Sequence, residues 1–331
     1  MTTATLARYK RSMKINKKLT SLIVNGIFLL LSAGVPAQER PRPWDLTVRF
    51  FTDYDSNIAL APHNNATARF SGHKAGVDLG VGATGSYRFI DERQWDLGAG
   101  GQFVQVWNTR SGLSDFNLTS ISPKLFGDYF FSLGAIPAQA QMAYQFRHDW
   151  LHGDAFEKSH TLNWDLGIVP IPRVTANVYY NLAFEDFSSE GDASRFTSRD
   201  AVNHAVGIKG TYSFGYNMPA ISLNYQFSHN SADGRNFTFD SHGISAQFIT
   251  PLIAPVRLVL EAGYTNEDYT RFTPKPERTQ DNQNYGATLL LPLTRYLSAD
   301  LGYKFAKFKG SQSRFETDRH KATFGLTYQI R

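Results

Sequence analysis

Five histidines carry the side chains best suited to acid–base chemistry, and serines stand beside two of them. They are His160, His204, His229, His242 and His320. A hydrolase would need one of them to meet a serine or an acidic side chain at a single point. Ser159 precedes His160 and Ser241 precedes His242, but both pairs lie in or beside extended segments, where adjacent side chains point to opposite faces. We therefore expect no convergent nucleophile and base, and no enzyme.

Other chemistries are also poorly represented. The chain has no cysteine, which excludes disulfides, thiolate metal sites and a cysteine nucleophile. No spacing of histidines and acids is typical of a metal site, so we expect neither a metal nor a cofactor.

The basic charge of the chain is concentrated in its first 37 residues. Six basic residues and no acidic one accompany an apolar run over 22–31, and the small-residue segment 35–37 follows. This order predicts a secretory signal peptide over 1–37, since the run is too short for a spanning helix. The segment from Met13 is complete by itself, which leaves a misplaced start open for residues 1–12. Residues 38–331 hold 28 basic and 29 acidic groups, so charge gives no reason to expect nucleic-acid binding.

The remaining chain alternates between apolar and polar residues with a period of two. In 174–184, 221–227, 297–305 and 140–146, every second residue is apolar and none of these is charged. Such segments are strands with one apolar and one polar face. Fourteen are predicted: 45–54, 75–89, 94–107, 117–133, 138–149, 160–169, 174–186, 201–214, 220–229, 241–251, 256–266, 282–292, 297–308 and 319–330. Pro123 lies inside the fourth, which predicts either a bulge there or a membrane segment that begins after it.

Strand length and connection length favour a membrane barrel over a soluble β-sandwich. Most segments have ten or more residues, which is enough to cross a bilayer when tilted, whereas sandwich strands average about five or six. Short connections are predicted at 90–93, 134–137, 170–173, 215–219, 252–255 and 294–296. Long ones are predicted at 55–74, 108–116, 150–159, 187–200, 230–240, 267–281 and 309–318. The fold class is therefore all-β, a transmembrane antiparallel up-and-down β-barrel of about 14 strands in a bacterial outer membrane, with both termini periplasmic.

The polar face of each of these strands is predicted to line the lumen. Its charged members have mixed signs, which implies paired charges and weak ion preference in a pore. The predicted lumen-lining residues are Arg49, Arg88, Lys124, Arg147, Asp165, Glu185, Lys209, Arg257, Glu261, Asp300 and Lys304. Lys124, Arg147 and Lys209 could contact an anionic solute, but cross-strand pairing with neighbours such as Asp128 and Asp165 is favoured. Inward glycines at 80, 82, 98, 100, 207 and 263 leave space for a passage. His204 falls on the opposite, lipid-facing parity.

The C-terminus resembles the signal by which the barrel assembly machinery recognises its substrates. Thr323, Gly325, Tyr328 and Ile330 occupy the matching positions, with Arg331 as an extra final residue. Near the first strand, Asp53–Pro62 resembles a segment of the fourteen-stranded barrels of surface lipoprotein assembly modifier proteins. That resemblance implies a role in moving or displaying material at the cell surface. Those proteins usually carry a helical repeat domain, which is absent here, so a separate periplasmic helical-repeat partner is one expectation.

Three functions remain open on the sequence alone. The leading hypothesis is an outer-membrane channel or export pore for small or linear polar solutes. The alternatives are a non-conducting barrel for surface display or lipoprotein assembly, and a barrel hydrolase. The expected surroundings are outer-membrane lipid and lipopolysaccharide, and the acids in 186–192 and 268–281 are either solvated loop residues or ligands for divalent cations or that lipid.

Overall fold

In the computed structural model, residues 43–58, 75–188, 198–215, 217–269, 271–273, 278–312 and 316–330 are described. The predicted signal peptide and most of the loop over 55–74 lie outside these residues. No helix in the described ranges is long and apolar enough to cross a membrane.

Fourteen strands account for nearly all of the regular structure. Their number was predicted correctly, and most extend a few residues beyond the predicted bounds. In chain order they are β1 (Trp44–Asp55), β2 (Gly76–Asp91), β3 (Trp95–Asn108), β4 (Leu118–Leu133), β5 (Ile136–Leu151), β6 (Asp154–Ile171), β7 (Val174–Asp186), β8 (Ala201–Ser213), β9 (Ala220–Ala232), β10 (Phe239–Ile253), β11 (Val256–Tyr269), β12 (Arg278–Pro292), β13 (Leu297–Gly310) and β14 (Thr317–Ile330).

The strands form one closed antiparallel barrel. Each strand pairs with the next in sequence, and β1 pairs with β14 from Leu46 opposite Ile330 to Asp55 opposite Lys321. Closure leaves no free sheet edge, which is the condition for a sheet to exist inside a bilayer. The β-sandwich alternative is excluded by this topology.

The outer surface of the barrel is apolar over most of its height. Phe50 on β1 is 60% exposed, and each of the remaining strands also has large apolar side chains that face outward. Within the described strands, outward-facing charges occur only near the end of the barrel where β1 finishes and β2 begins, at residues such as Lys158, Asp240 and Lys307. We call this the long-loop end, and the opposite end, where β1 begins and β14 finishes, the short-turn end. A charge at mid-depth in lipid costs roughly 2–4 kcal/mol, which explains the distribution.

One predicted long connection is wrong. Residues 150–159 belong mainly to β5 and β6, which meet in a turn of two residues, His152 and Gly153. Both have positive φ, of 53° and 91°, and Leu151 pairs directly with Asp154. This is a type I′ hairpin, for which glycine at the second position is well suited. The polar residues of 154–159 resembled a loop because this part of the hairpin lies beyond the apolar band, where both faces tolerate charge.

The bulge predicted at Pro123 is wrong, because β4 continues through this residue without one, whereas a membrane segment that begins after Pro123 stays a prediction. The pairing with β5 runs to Ile121 opposite His148 and resumes at Lys124 opposite Gln145 in the same register. On its other side Pro123 pairs with Gly101 of β3. A side chain at Gly101 would come within 3.3 Å of the proline backbone, so glycine provides the room that the ring needs here.

The loops at the long-loop end hold one another in place through backbone contacts. The amide of Gly234 donates to the carbonyl of Ser198 at 3.1 Å, and the amide of Thr273 donates to Oδ1 of Asn236 at 2.8 Å. At the β3–β4 loop, His152 donates from its amide to the carbonyl of Asn117 at 2.9 Å. Neighbouring hairpins are therefore tied beyond the last ladder hydrogen bonds.

Gly234→Ala is expected to loosen this loop network, because the added Cβ would overlap the backbone of Ser198. Overpacking of this kind typically costs about 1–3 kcal/mol. Gly210→Ala is the matched control, since nothing lies within 4 Å of its Cβ position. We expect faster hydrogen exchange around Ser198 and Gly234 in the first variant alone. Equal exchange in both variants would show that the contact does not restrain the loops.

Candidate functional site: the barrel lumen

The eleven predicted lumen residues all lie on the inward parity of their strands. Arg49, for example, stands between the outward Val48 and Phe50, and Lys209 between Ile208 and Gly210. Since the pleat alternates side chains strictly, the remaining members follow from the exposed apolar residues on either side of them.

Ion pairs along the wall involve five of these eleven residues. Arg49 Nη2 lies 2.7 Å from Asp300 Oδ2, and Lys304 Nζ lies 3.1 Å from Glu261 Oε2. Arg147 pairs with Glu157 and also has its Nε 3.5 Å from Asp149 Oδ2. The Lys304 side chain is 61% exposed although it faces inward, so the space in front of it accommodates water. These contacts give a polar lumen wall in which five of the eleven predicted charges are neutralised locally.

A second set of pairs closes the barrel between β1 and β14. Lys321 Nζ lies 2.8 Å from Asp53 Oδ2, and Arg319 Nε donates to Asp55 Oδ2 at 2.8 Å. Beyond them, Asn57 Nδ2 donates to Thr317 Oγ1 at 2.6 Å. The side chain of Asp55 is fully buried. Residues Asp53–Asn57 therefore have a structural role in closing this barrel. We call the three contacts, Asp53–Lys321, Asp55–Arg319 and Asn57–Thr317, the seam latch.

Arg319 and Lys321 were not predicted as partners in this latch. The available signal was the matching spacing of two acids, at 53 and 55, with two bases, at 319 and 321, on the first and last strands. Because a closed up-and-down barrel must join these strands, opposite charges at the same spacing could have been matched across the seam.

Lys124 and Lys209 do not form the predicted pairs with Asp128 and Asp165. Asp128 accepts instead from Gln139 and Gln141, at 2.8 Å each, and Asp165 accepts from Asn177 at 2.8 Å. Among the described residues, neither lysine has an acidic oxygen within 4 Å; Lys124 Nζ lies 5.8 Å from the centroid of the Phe126 ring. Both lysines are near the middle of their strands, so the lumen carries two cations there that no direct carboxylate contact neutralises.

The inward glycines act differently from the prediction, because most of the space above them is already used. Gly80, Gly98 and Gly207 stand directly opposite Phe51, Phe126 and Tyr179 on the neighbouring strands. A Cβ on any of the three would overlap the opposing ring. Each ring therefore lies flat against the wall instead of projecting into the lumen. Gly82 differs, since the nearest atom to its Cβ position is a backbone oxygen at 3.7 Å.

The same arrangement supports the ion pairs. A Cβ at Gly325, which pairs with Asp300, would come within 2.8 Å of the Arg49 guanidinium and would also overlap the Asp300 carboxylate. Gly286 stands opposite both Glu261 and Lys304. Glycine thus allows the charged side chains to lie along the wall, which keeps them out of the central space.

Three further predicted lumen residues lie nearer the barrel ends. Arg88 is beside the β2 irregularity at the short-turn end, and Arg257 donates from Nη2 to Asn217 Oδ1 at 3.3 Å in the β8–β9 turn. Glu185 lies at the long-loop end of β7, opposite Ser159.

The histidines and serines named as candidate catalytic residues separate onto opposite faces. Ser241 faces inward and its hydroxyl lies 2.7 Å from that of Ser228, whereas His242 faces outward with Nδ1 2.9 Å from the Tyr225 hydroxyl. His229 also faces outward and contacts Asp240 at 2.6 Å. In the described ranges no group of three or more histidines and acids is arranged to hold a metal. Among the described residues, these histidines and serines do not form an assembled nucleophile and base.

The residues of the predicted assembly signal lie on β14. Thr323 and Gly325 face inward, and Tyr328 and Ile330 face outward. Gly325 therefore has a role in the finished barrel, beneath the Arg49–Asp300 pair. Recognition by the assembly machinery stays a prediction.

The geometry defines the chain as a transmembrane β-barrel of the bacterial outer-membrane type. Among solved structures, it is similar to the anion-selective porin from Comamonas acidovorans, at 10% identity and a TM-score of 0.48 over 87% of this chain and 98% of that one. It is also similar to OmpT of Vibrio cholerae, at 10% identity and 0.48 over 87% and 97%. OccAB3 of Acinetobacter baumannii gives 8% identity and 0.45 over 87% and 99%. The sequence matches no protein-family model and no curated protein.

Proposed function

We propose that this protein is a passive outer-membrane channel for small polar solutes. The observation that carries the proposal is the lumen wall, where charged and aromatic side chains lie flat over opposing glycines and inward groups such as Lys304 stay exposed. A fourteen-stranded barrel is intermediate between filled eight-stranded barrels and open porins of sixteen strands, so a narrow aqueous passage fits its size.

The proposal also includes an orientation of the barrel in the membrane. In outer-membrane barrels, short turns face the periplasm and longer loops face outward. The short-turn end, where β1 begins and β14 finishes, is therefore assigned to the periplasm, and the long-loop end to the cell exterior. The proposal also includes recognition of the C-terminal strand β14 by the barrel assembly machinery.

The test is conductance of the purified protein in planar lipid bilayers. We expect discrete steps, and their complete absence from correctly folded protein would overturn the channel proposal. A protein that conducts nothing but recovers a periplasmic helical-repeat partner on crosslinking would instead favour the assembly alternative.

Gly82→Trp is expected to lower the unitary conductance, by roughly twofold in a passage of this size. The inward Cβ position at Gly82 has only a backbone oxygen at 3.7 Å, so an indole there can extend into the lumen without displacing the wall. Gly210→Trp is the control, because this residue faces outward and its Cβ position is open. Equal conductance in the two variants would place the conducting path away from Gly82.

A further inference from the structure

The outer surface of the barrel carries a repeated unit in which a tyrosine, a phenylalanine or leucine, and a histidine lie together. In four hairpins at the long-loop end, a tyrosine on the ascending strand is followed two residues later by phenylalanine or leucine, and the descending strand supplies a histidine. The four pairs are Tyr144 with His160, Tyr180 with His204, Tyr225 with His242 and Tyr303 with His320. We call them the tyrosine–histidine belt.

The geometry of the unit is nearly constant. The tyrosine oxygen lies 2.6–2.9 Å from the histidine Nδ1 in all four pairs. The ring centroids of the two residues are 6.1–6.3 Å apart. Where the second side chain is phenylalanine, its ring centroid lies 4.9–5.1 Å from that of the histidine. Each imidazole is thus held in one orientation by a hydroxyl and, in three units, by an aromatic ring.

The belt marks a boundary on the outer surface. Below His320, the outward residues of β14 are Ala322, Phe324, Leu326, Tyr328 and Ile330, whereas Asp318 lies above it. Below His160, the outward residues of β6 are likewise apolar, and Lys158 lies above. Eight residues separate His320 from Tyr328, which corresponds to about 20 Å along the barrel axis for a tilted strand. The histidines therefore stand at one interface of an apolar band of membrane dimensions.

The free nitrogen of each imidazole is available to the surroundings. Nδ1 is occupied by the tyrosine, and in the described part of the chain Nε2 of these four exposed histidines has no protein partner. A negatively charged acceptor at Nε2 selects the forms in which this nitrogen carries a proton. The tyrosine then donates to Nδ1 of the neutral ring or accepts from Nδ1 of the imidazolium.

We propose that the tyrosine–histidine belt binds the phosphate groups of lipid A in the outer leaflet. The proposal rests on the orientation given with the proposed function. At that level the outer leaflet presents anionic phosphates, and four oriented nitrogen donors complement this charge. The outward charges just above the belt are mixed: Lys158, Lys307 and Lys309 are basic, whereas Asp240 and Asp318 are acidic and stand opposite His229 and Lys307. The fifth equivalent position, on β12, is Asp281, which accepts from the Tyr264 hydroxyl at 2.7 Å and from Asn266 Nδ2 at 2.9 Å. A carboxylate repels phosphate, so the lipid sites are confined to the other four hairpins.

The test compares lipid binding to the purified, full-length barrel in non-ionic detergent. The probes are lipid A with two phosphates and the same lipid after removal of its phosphates, with retention measured by native mass spectrometry. We expect the wild type to prefer the phosphorylated lipid. The quadruple variant His160→Gln, His204→Gln, His242→Gln and His320→Gln is expected to lose about tenfold or more of that binding.

Two further variants separate the belt from general effects of surface change. Tyr144→Phe, Tyr180→Phe, Tyr225→Phe and Tyr303→Phe together keep every histidine but release it, and an intermediate loss of binding is expected. Tyr87→Phe, Tyr129→Phe and Tyr212→Phe together remove three hydroxyls near the short-turn end, and full binding is expected. Migration on a gel with and without heating verifies that each variant is folded.

Equal retention of both lipids by the wild type, or unchanged binding by the histidine variant, would overturn the proposal. If the histidine variant changed its particle mass but kept the same lipid preference, the belt would be an interface between copies of this protein, and the lipid proposal would be overturned. Failure of the channel proposal is separate, since it would show as missing conductance in protein that still prefers phosphorylated lipid.

Discussion

Replacing Lys124 and Lys209 together by glutamate is expected to shift the channel several-fold toward cations. Both residues face the lumen near mid-strand, and neither has a carboxylate within 4 Å among the described residues. Five of the other nine predicted lumen charges form direct ion pairs, whereas these two lysines do not, so their full charge contributes to the field that a passing ion meets. The double replacement changes the lumen charge by about four units at neutral pH.

The measurement is the reversal potential of single channels under a salt gradient. Lys158→Glu with Lys309→Glu is the matched control, because it makes the same charge change on outward positions at the long-loop end. We expect a much smaller shift in the control, since salt screens charges more than about 10 Å away at 0.1 M. If both double variants shifted the reversal potential equally, selectivity would originate outside the lumen.

The strand number and the division into inward and outward faces were predictable from sequence because both depend only on local order. A period of two assigns faces without knowledge of the partner strand, and lipid excludes charge from one of them. The eleven lumen positions follow from this rule alone. The hairpin at His152 and Gly153 was not predictable in this way, because its strands extend beyond the apolar band and their polar residues there resemble a loop.

The contacts inside the lumen depend on register, which the pattern does not contain. Gly207 has the appearance of empty space in the sequence, and only its pairing with Tyr179 shows that a ring covers it. In the same way, Asp128 is four residues from Lys124, but two glutamines on β5 are better placed and both donate to its Oδ1. A one-residue shift in pairing would change every such partner, so parity could be predicted and partners could not.

The largest stability effect is expected from Asp55→Ala at the seam latch. Asp55 is fully buried and is bound by the Arg319 side chain, which the substitution would leave without its carboxylate. Its Oδ1 also accepts from the backbone amide of Asn57 at 2.9 Å, so the turn out of β1 loses a contact as well. Breaking a buried ion pair on one side typically costs about 3–5 kcal/mol, and we expect the lower end because the Arg319 side chain is 33% exposed and can be hydrated. The cost arises where the barrel closes, because no loop connects β1 to β14 and only their ladder and side-chain contacts hold them together.

Urea unfolding in lipid vesicles, followed by tryptophan fluorescence, measures the loss. Asp240→Ala is the matched control, since Asp240 contacts His229 at 2.6 Å on the outer surface with both side chains well exposed, where such pairs are worth about 0–1 kcal/mol. Asp55→Ala combined with Arg319→Ala is expected to recover part of the loss, because no buried charge is then left unpaired. Equal destabilisation by Asp55→Ala and Asp240→Ala would mean that the ladder hydrogen bonds of β1 and β14 close the barrel without help from the latch.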